Sequence, residues 1–322
     1  MFKNRRTSLR AAVAAAAIAP LALVAACGGG TTSSSSGGPS ASAGGGGHVT
    51  IVGQGYTEME IMSNMYADLL QKAGYSTTIK TVADRNLYGP ALESGKVDIS
   101  ADYASSMTEF LNEQINGANA QPVASPDINK TIAELTKLGK QKGVEPLKPA
   151  QAQDANAFAV TKAFSQKHHV TSLSQLAALN MPVSLAAAPD CPQRDDCKLG
   201  LEKVYGLKIT KFEGLGFGTT QTKNALKSGE VNLGQVGTSD GSLNAFGLVV
   251  LADDKHLENA ENLVPVVNSK FLAAHSNVAD VLNKLSAVLT TDDLKSLNAK
   301  VDVQRQLPED VAKSYLQSKG LL

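Results

Sequence analysis

The stretches ALESGKVDI (Ala91–Ile99) and ALKSGEVNL (Ala225–Leu233) repeat almost the same nine residues, 134 positions apart (225 − 91). Each reads as the end of a helix, a Ser-Gly turn and the start of a sheet strand. Gly95 and Gly229 suit the left-handed conformation that closes a helix. The Val/Ile/Leu tails suit strands buried on both faces, as in a parallel sheet. A helix–SG–strand junction is also a common local solution, so the surroundings of each copy decide what the repeat means.

Around the first copy, HVTIVGQG (48–55) is β-branched and ends in glycine, which reads as a strand. Thr57 and Glu60 form a T-x-x-E capping-box pattern, and Ile61, Met65, Leu69 and Leu70 follow at helical spacing up to Gly74. STTIKTVA (76–83) is a second strand, Tyr88–Glu93 a short helix and VDISADY (97–103) a third strand. This βαβαβ order implies a parallel sheet with helices on its faces. Around the second copy the pattern restarts. ANAFAVTK (155–162), MPVSLAA (181–187), LKITKFEG (207–214) and EVNLGQVG (230–237) read as strands, with a capping box at Ser172/Gln175 and a helix over Leu199–Tyr205. LVVLADD (248–254) reads as the last strand. Val278, Val281, Leu282, Leu285, Val288 and Leu289 then make one face of an amphipathic helix, and a final helix starts near Pro308. The fold class is therefore α/β, with two lobes built alike and facing each other across a cleft. In open α/β sheets ligands bind beyond the carboxyl ends of the strands, so two such ends make an enclosed site.

The N-terminus is a different kind of sequence. Lys3, Arg5, Arg6 and Arg10 precede the apolar run AAVAAAAIAPLALVAAC, which is too short for a retained span and has the build of an export signal over 1–26. Val24-Ala25-Ala26-Cys27 resembles a bacterial lipobox, which would put a lipid anchor on Cys27; cleavage after A-x-A with Cys27 incidental is the other reading. The Gly/Ser-rich segment over 27–47 reads as a flexible tether. Without the leader, 26 basic residues face 30 acidic ones. No basic stripe or aromatic-basic motif points to nucleic acid. An exported chain meets an oxidising compartment, so Cys191 and Cys197 in CPQRDDC are expected to form a disulfide. No metal-ligand spacing, CxxC redox motif or cofactor motif appears, and Gly53-x-Gly55 lacks the third glycine of a dinucleotide site.

Candidate site residues follow from this layout. GQGYTE brings Gln54, Tyr56 and Thr57 to a helix N-terminus, where unpaired N–H groups attract anions. Arg85 and Arg194 lie in loops after strands, placed either to grip a carboxylate or to form ion pairs. GTSDG (237–241) matches G-x-S-x-G, with Ser239 as nucleophile and Asp253 or Asp254 and His256 or His275 in the order of a hydrolase triad. Against this, there is no HGGG-type loop, and Asp240 would oppose an acyl intermediate. His168 and His169 read as solvated surface.

Four motifs carry a resemblance to a known family: G-x-x-[FY]-T-E at 53–58, R-x-x-Y-x-PAL-x-SG-x-VDI-x-x-[DE]Y at 85–103, R-x-D-x-x-x-GLEK-x-YGL at 194–207, and T-[ST]-DG…LVVL-x-DDKH…PVV at 238–267. In this order they resemble the osmoprotectant-type (glycine betaine, carnitine, choline) substrate-binding proteins of ABC importers. The resemblance implies a type II, two-lobe periplasmic-binding-protein fold with the ligand cleft between two parallel-core sheets. Lobe 1 would comprise 48–153 and 257–322, and lobe 2 would comprise 154–256. It also implies a small-molecule solute, a membrane permease as partner, a monomer outside the cell membrane, no cofactor and no enzyme activity. A surface sensor working without a transporter is a further reading.

The family's cage of tyrosines attracts a quaternary ammonium through ring faces. Carried over, Tyr103 falls on a cage position, Asn156 where many members have tyrosine, Gly237 where others have an aromatic, and Cys191 where phenylalanine is frequent. Two ring positions thus look vacant, which suggests a solute bulkier or richer in hydrogen bonds than a simple betaine. The expected ligand-binding set is Gln54, Tyr56, Thr57, Arg85, Tyr103, Asn156, Arg194, Thr238, Ser239 and Asp240. Tyr103 would be an aromatic wall, and Thr57 and Arg194 would hold an anionic or polar group. Asp240 would either offset a cation or cap the following helix.

Overall fold

The computed structural model describes residues 46–322. The proposed leader, Cys27 and all but the end of the tether lie outside the described residues. Ten strands run in the order β1 His48–Gln54, β2 Ser76–Val82, β3 Ile99–Tyr103, β4 Val144–Pro146, β5 Asn156–Thr161, β6 Pro182–Ala186, β7 Lys208–Glu213, β8 Leu233–Gly237, β9 Leu248–Leu251 and β10 Leu263–Asn268. They form two five-stranded sheets, β2-β1-β3-β10-β4 and β7-β6-β8-β5-β9. In the first, β1, β2 and β3 are parallel and β10 runs antiparallel beside β3. In the second, β6, β7 and β8 are parallel and β5 runs antiparallel beside β8. The two sheets therefore have the same plan, and the repeated nonapeptides lead into equivalent strands, β3 and β8. The parallel core is as expected, but each sheet also carries an antiparallel strand contributed from across the chain.

The junctions form for the expected reason. Gly95 has φ +75° and Gly229 φ +78°, conformations that a side chain would strain. β3, β8 and β10 are buried along their whole length, as central strands must be. β2 lies at an edge and is largely exposed. The helix Thr57–Lys72 is buried on most of its circumference, through Met59, Ile61, Met62, Met65, Tyr66, Leu69 and Leu70. It sits in one core with β1, β3 and the C-terminal helices Asn277–Ser286, Thr291–Asp302 and Pro308–Ser318.

Some local expectations change. The Thr57/Glu60 capping box is absent: Tyr56 is the cap residue, and the Thr57 hydroxyl instead donates to Asp302 at 2.5 Å. At Ser172 half of the box is present, since its side chain accepts from Gln175 N while the Gln175 amide oxygen serves Thr171. Strand β10 is not expected from the sequence pattern, since its Pro265 has no N–H for a ladder. β4 itself pairs with Val266–Asn268, and the Pro265 carbonyl accepts from Leu147 N at 2.8 Å. Cys191 and Cys197 are disulfide-bonded and fully buried in a core of the second sheet.

Candidate ligand-binding site

The carboxyl ends of the parallel strands converge on one cavity of about 400 Å³. The first sheet contributes Gln54 and Tyr56 after β1, Arg85 after β2, and Tyr103 at the end of β3. From the second come Asn156 at the start of β5, Arg194 and Asp196 after β6, and Phe217 after β7. Asn156 pairs with Gly237, so antiparallel β5 begins where β8 ends. The segment between β9 and β10 adds Glu258, Asn259 and Glu261. Six of the ten expected residues thus share one cavity: Gln54, Tyr56, Arg85, Tyr103, Asn156 and Arg194.

The other four lie outside this cavity, although Thr238 lines the one adjoining it. Thr57 is held by Asp302. Thr238 turns its hydroxyl into the backbone, donating to Gln153 O and accepting from Ala155 N, both at 2.9 Å. Asp240 pairs with Lys223 at 2.7 Å and accepts from Ser242 N, so it closes the turn after β8. Ser239 is buried, and its N–H donates to Asp154 Oδ1 at 3.4 Å. No described histidine bonds to it, and His275 packs against Tyr75 and Phe271 instead. The hydrolase reading of GTSDG is therefore unsupported: the Ser–His pairing that the motif calls for is not formed among the described residues.

The aromatic wall is a hydrogen-bonded relay. Tyr56 Oη donates to Tyr103 Oη at 3.1 Å, and Tyr103 Oη donates to Glu58 Oε1 at 2.6 Å. Asn298 Nδ2 donates both to Glu58 Oε2 at 2.7 Å and to Ser239 O at 3.1 Å, tying the wall to the turn after β8. Burial, reinforced by Asp154, pushes the Glu58 carboxyl up to about 7. Burial likewise raises both tyrosine hydroxyls, so the rings stay neutral.

Both arginines are in ion pairs. Arg85 binds Asp102 through Nε at 3.1 Å and Nη2 at 2.6 Å. Asp102 also accepts from Tyr88 Oη and Tyr103 N. Burial opposes the Arg85 charge, and Asp102 outweighs that opposition. Arg194 reaches Asp196 through Nε at 2.8 Å and Nη2 at 2.5 Å, inside the loop that the disulfide closes.

The residues not foreseen are mostly acidic. Asp154, Glu258 and Glu261 all line the cavity. Burial, reinforced by Asp196, raises the Glu258 carboxyl to about 8. Burial raises Glu261 to about 7, against its hydrogen bonds from Ser106. Phe217 was also missed. A Cβ on Gly237 would lie 2.7 Å from Asp154 Oδ1 and 3.5 Å from Phe217 Cζ. Gly237 therefore opens no free volume; a ring and a carboxylate from other parts of the chain occupy that space. These residues lie in loops without periodicity, which leaves no local signal to find them.

Residues 47–318 match the family described as the substrate-binding domain of ABC-type glycine betaine transport systems. The glycine-betaine-binding protein of Pseudomonas aeruginosa is 29% identical over 284 residues, covering 84% of this chain and 88% of the relative. The glycine betaine-binding protein YehZ of Escherichia coli is 27% identical over 275 residues, covering 82% and 88%. The solved structure of apo YehZ superposes with a TM-score of 0.74 over 85% of this chain and 99% of that one, at 26% identity. The chain belongs to the substrate-binding-domain family of ABC-type glycine betaine transporters, and it is an extracytoplasmic solute-binding component of an ABC importer.

Proposed function

We propose that the cavity between the two sheets binds a small solute of the quaternary-ammonium, osmoprotectant class, or a related larger one, for delivery to a membrane permease. The observation that carries this is the pair of neutral rings, Tyr56 and Tyr103, on the wall of a cavity that also holds Phe217 and buried carboxylates. Ring faces and carboxylates both attract an alkylated ammonium. An adjoining cavity of about 470 Å³ shares Asn156, Glu258 and Asn259, which leaves room for a solute larger than a simple betaine. In this reading Gln54, Tyr56, Arg85, Tyr103, Asn156 and Arg194 form the site. Thr57, Thr238, Ser239 and Asp240 support it from behind. The lobes divide at 154 and 256, where the chain passes between the sheets. The protein acts as a monomer, tethered to the outer face of the cell membrane by a lipid on Cys27.

Calorimetric titration of the purified protein with glycine betaine, carnitine and choline tests the ligand class; with no Trp in the chain, intrinsic fluorescence is a poor reporter. Saturable binding of at least one is expected. No heat from any of them, with a folded protein, would sink the reading. Mass spectrometry of membrane-extracted protein tests the anchor, which requires a diacylglycerol mass on Cys27.

A further inference from the structure

The cavity is unevenly charged. Four carboxyl groups line it (Asp154, Asp196, Glu258 and Glu261) beside two guanidiniums, Arg85 and Arg194. Each guanidinium is already engaged, Arg85 with Asp102 and Arg194 with Asp196. Glu58 adds another carboxylate directly behind Tyr103. Nor are the remaining acids neutralised by cations: Glu261 is held by the Ser106 hydroxyl and N–H, and Asp154 by Ser239. Glu258 Oε1 is buried and accepts no hydrogen bond from any described residue.

This arrangement treats the two ends of a zwitterion differently. An ammonium gains from the rings and from the surplus carboxylates together. A solute carboxylate finds the Nε–Nη2 side of each guanidinium taken by Asp102 or Asp196, and any donor it reaches lies beside acids of its own sign. Resting on the ligand class proposed above, we infer that the cavity selects a solute of net positive charge over its zwitterionic counterpart, with Glu258 as the counter-ion.

Glu258 faces Asp196 and Asp253, which disfavour its charge, and Arg194 and Asn156, which favour it. In the free protein the balance leaves it mostly protonated at neutral pH. A bound cation reverses that balance, and the carboxyl gives up its proton to solvent as the ligand enters.

Choline and glycine betaine form the matched pair for a test. They share the trimethylammonium and differ in a hydroxymethyl group against a carboxylate. Titration of the purified protein at pH 7.5 is expected to give choline an affinity higher by roughly tenfold or more, as one unscreened charge contact implies. Choline heats should differ between phosphate and Tris buffers in the sense of proton release. Glu258→Gln should weaken choline by a similar factor, abolish the buffer dependence and bring the choline-to-betaine affinity ratio close to one. Betaine binding as tightly as choline in the wild type overturns the inference while leaving the ligand class standing, and that comparison needs no variant. An equal loss for both solutes in Glu258→Gln also overturns it. Failure of choline and betaine to bind a protein folded by circular dichroism overturns the inference, and failure of carnitine as well overturns the ligand class with it.

Discussion

Asp102 is almost fully buried, and Arg85, Tyr88 and the Tyr103 N–H all donate to it. Removing one partner of a buried pair costs more than the pair contributes, because the other charge is left without compensation. Arg85→Ala is therefore expected to destabilise the fold by about 3–5 kcal/mol, read from the urea midpoint at unchanged slope. Arg85→Lys should recover only part of this loss, since an ammonium cannot span both carboxylate oxygens. A midpoint unmoved by Arg85→Ala would show that the pair is not what holds Asp102. Tyr103 acts differently: its ring faces the cavity while its hydroxyl serves Glu58. Tyr103→Ala should weaken choline binding roughly five- to thirtyfold, the value of one desolvated ring. Tyr103→Phe should keep most of that affinity. Equal loss in both variants would assign the effect to the hydroxyl instead.

Between residue and lobe, the informative element is the loop from Cys191 to Cys197. It carries Arg194 and Asp196 to the cavity, and its disulfide is buried in the core beneath. Cross-linking so short a loop restricts the unfolded chain by about 2 kcal/mol in the loop-entropy model. The double substitution of both cysteines by Ala should cost at least this much thermal stability and should weaken ligand binding as well, because the ion pair loses its support. Unchanged affinity would separate the loop from the site. The Ser-Gly junctions admit a cleaner test. Nothing lies within 4 Å of a Cβ built on Gly229, so Gly229→Ala should cost only its left-handed backbone strain, about 1 kcal/mol by chemical denaturation. These junctions were legible in the sequence because a helix stop, a glycine and an apolar run are local signals. The capping box at Thr57 misled for the same reason: the pattern was present, but Asp302, 245 residues further along, took the hydroxyl.

For the molecule as a whole, the buried acids set the response to pH. Glu58 and Glu261 titrate near 7 and Glu258 near 8, where an unfolded chain would titrate near 4.3. Between those values the folded state holds more protons than the unfolded one, so stability falls as pH rises. The ligand-free protein should show its thermal midpoint decreasing from pH 5 to pH 8.5, and Glu258→Gln should flatten part of that slope. A midpoint that rises over this range would contradict the burial of these groups. Such a cluster could not be read from the chain, because Glu58, Asp154 and the Glu258/Glu261 pair lie about a hundred or more residues from one another and follow no shared period. The two-lobe α/β plan, by contrast, was determined by the sequence alone, since strand alternation, helix spacing and glycine stops act over a few residues. Only tertiary structure decided the character of the site. It placed Phe217 and Asp154 against Gly237, neutralised both arginines and gathered acids from both sheets, because burial and charge balance depend on what packs alongside rather than on what precedes or follows.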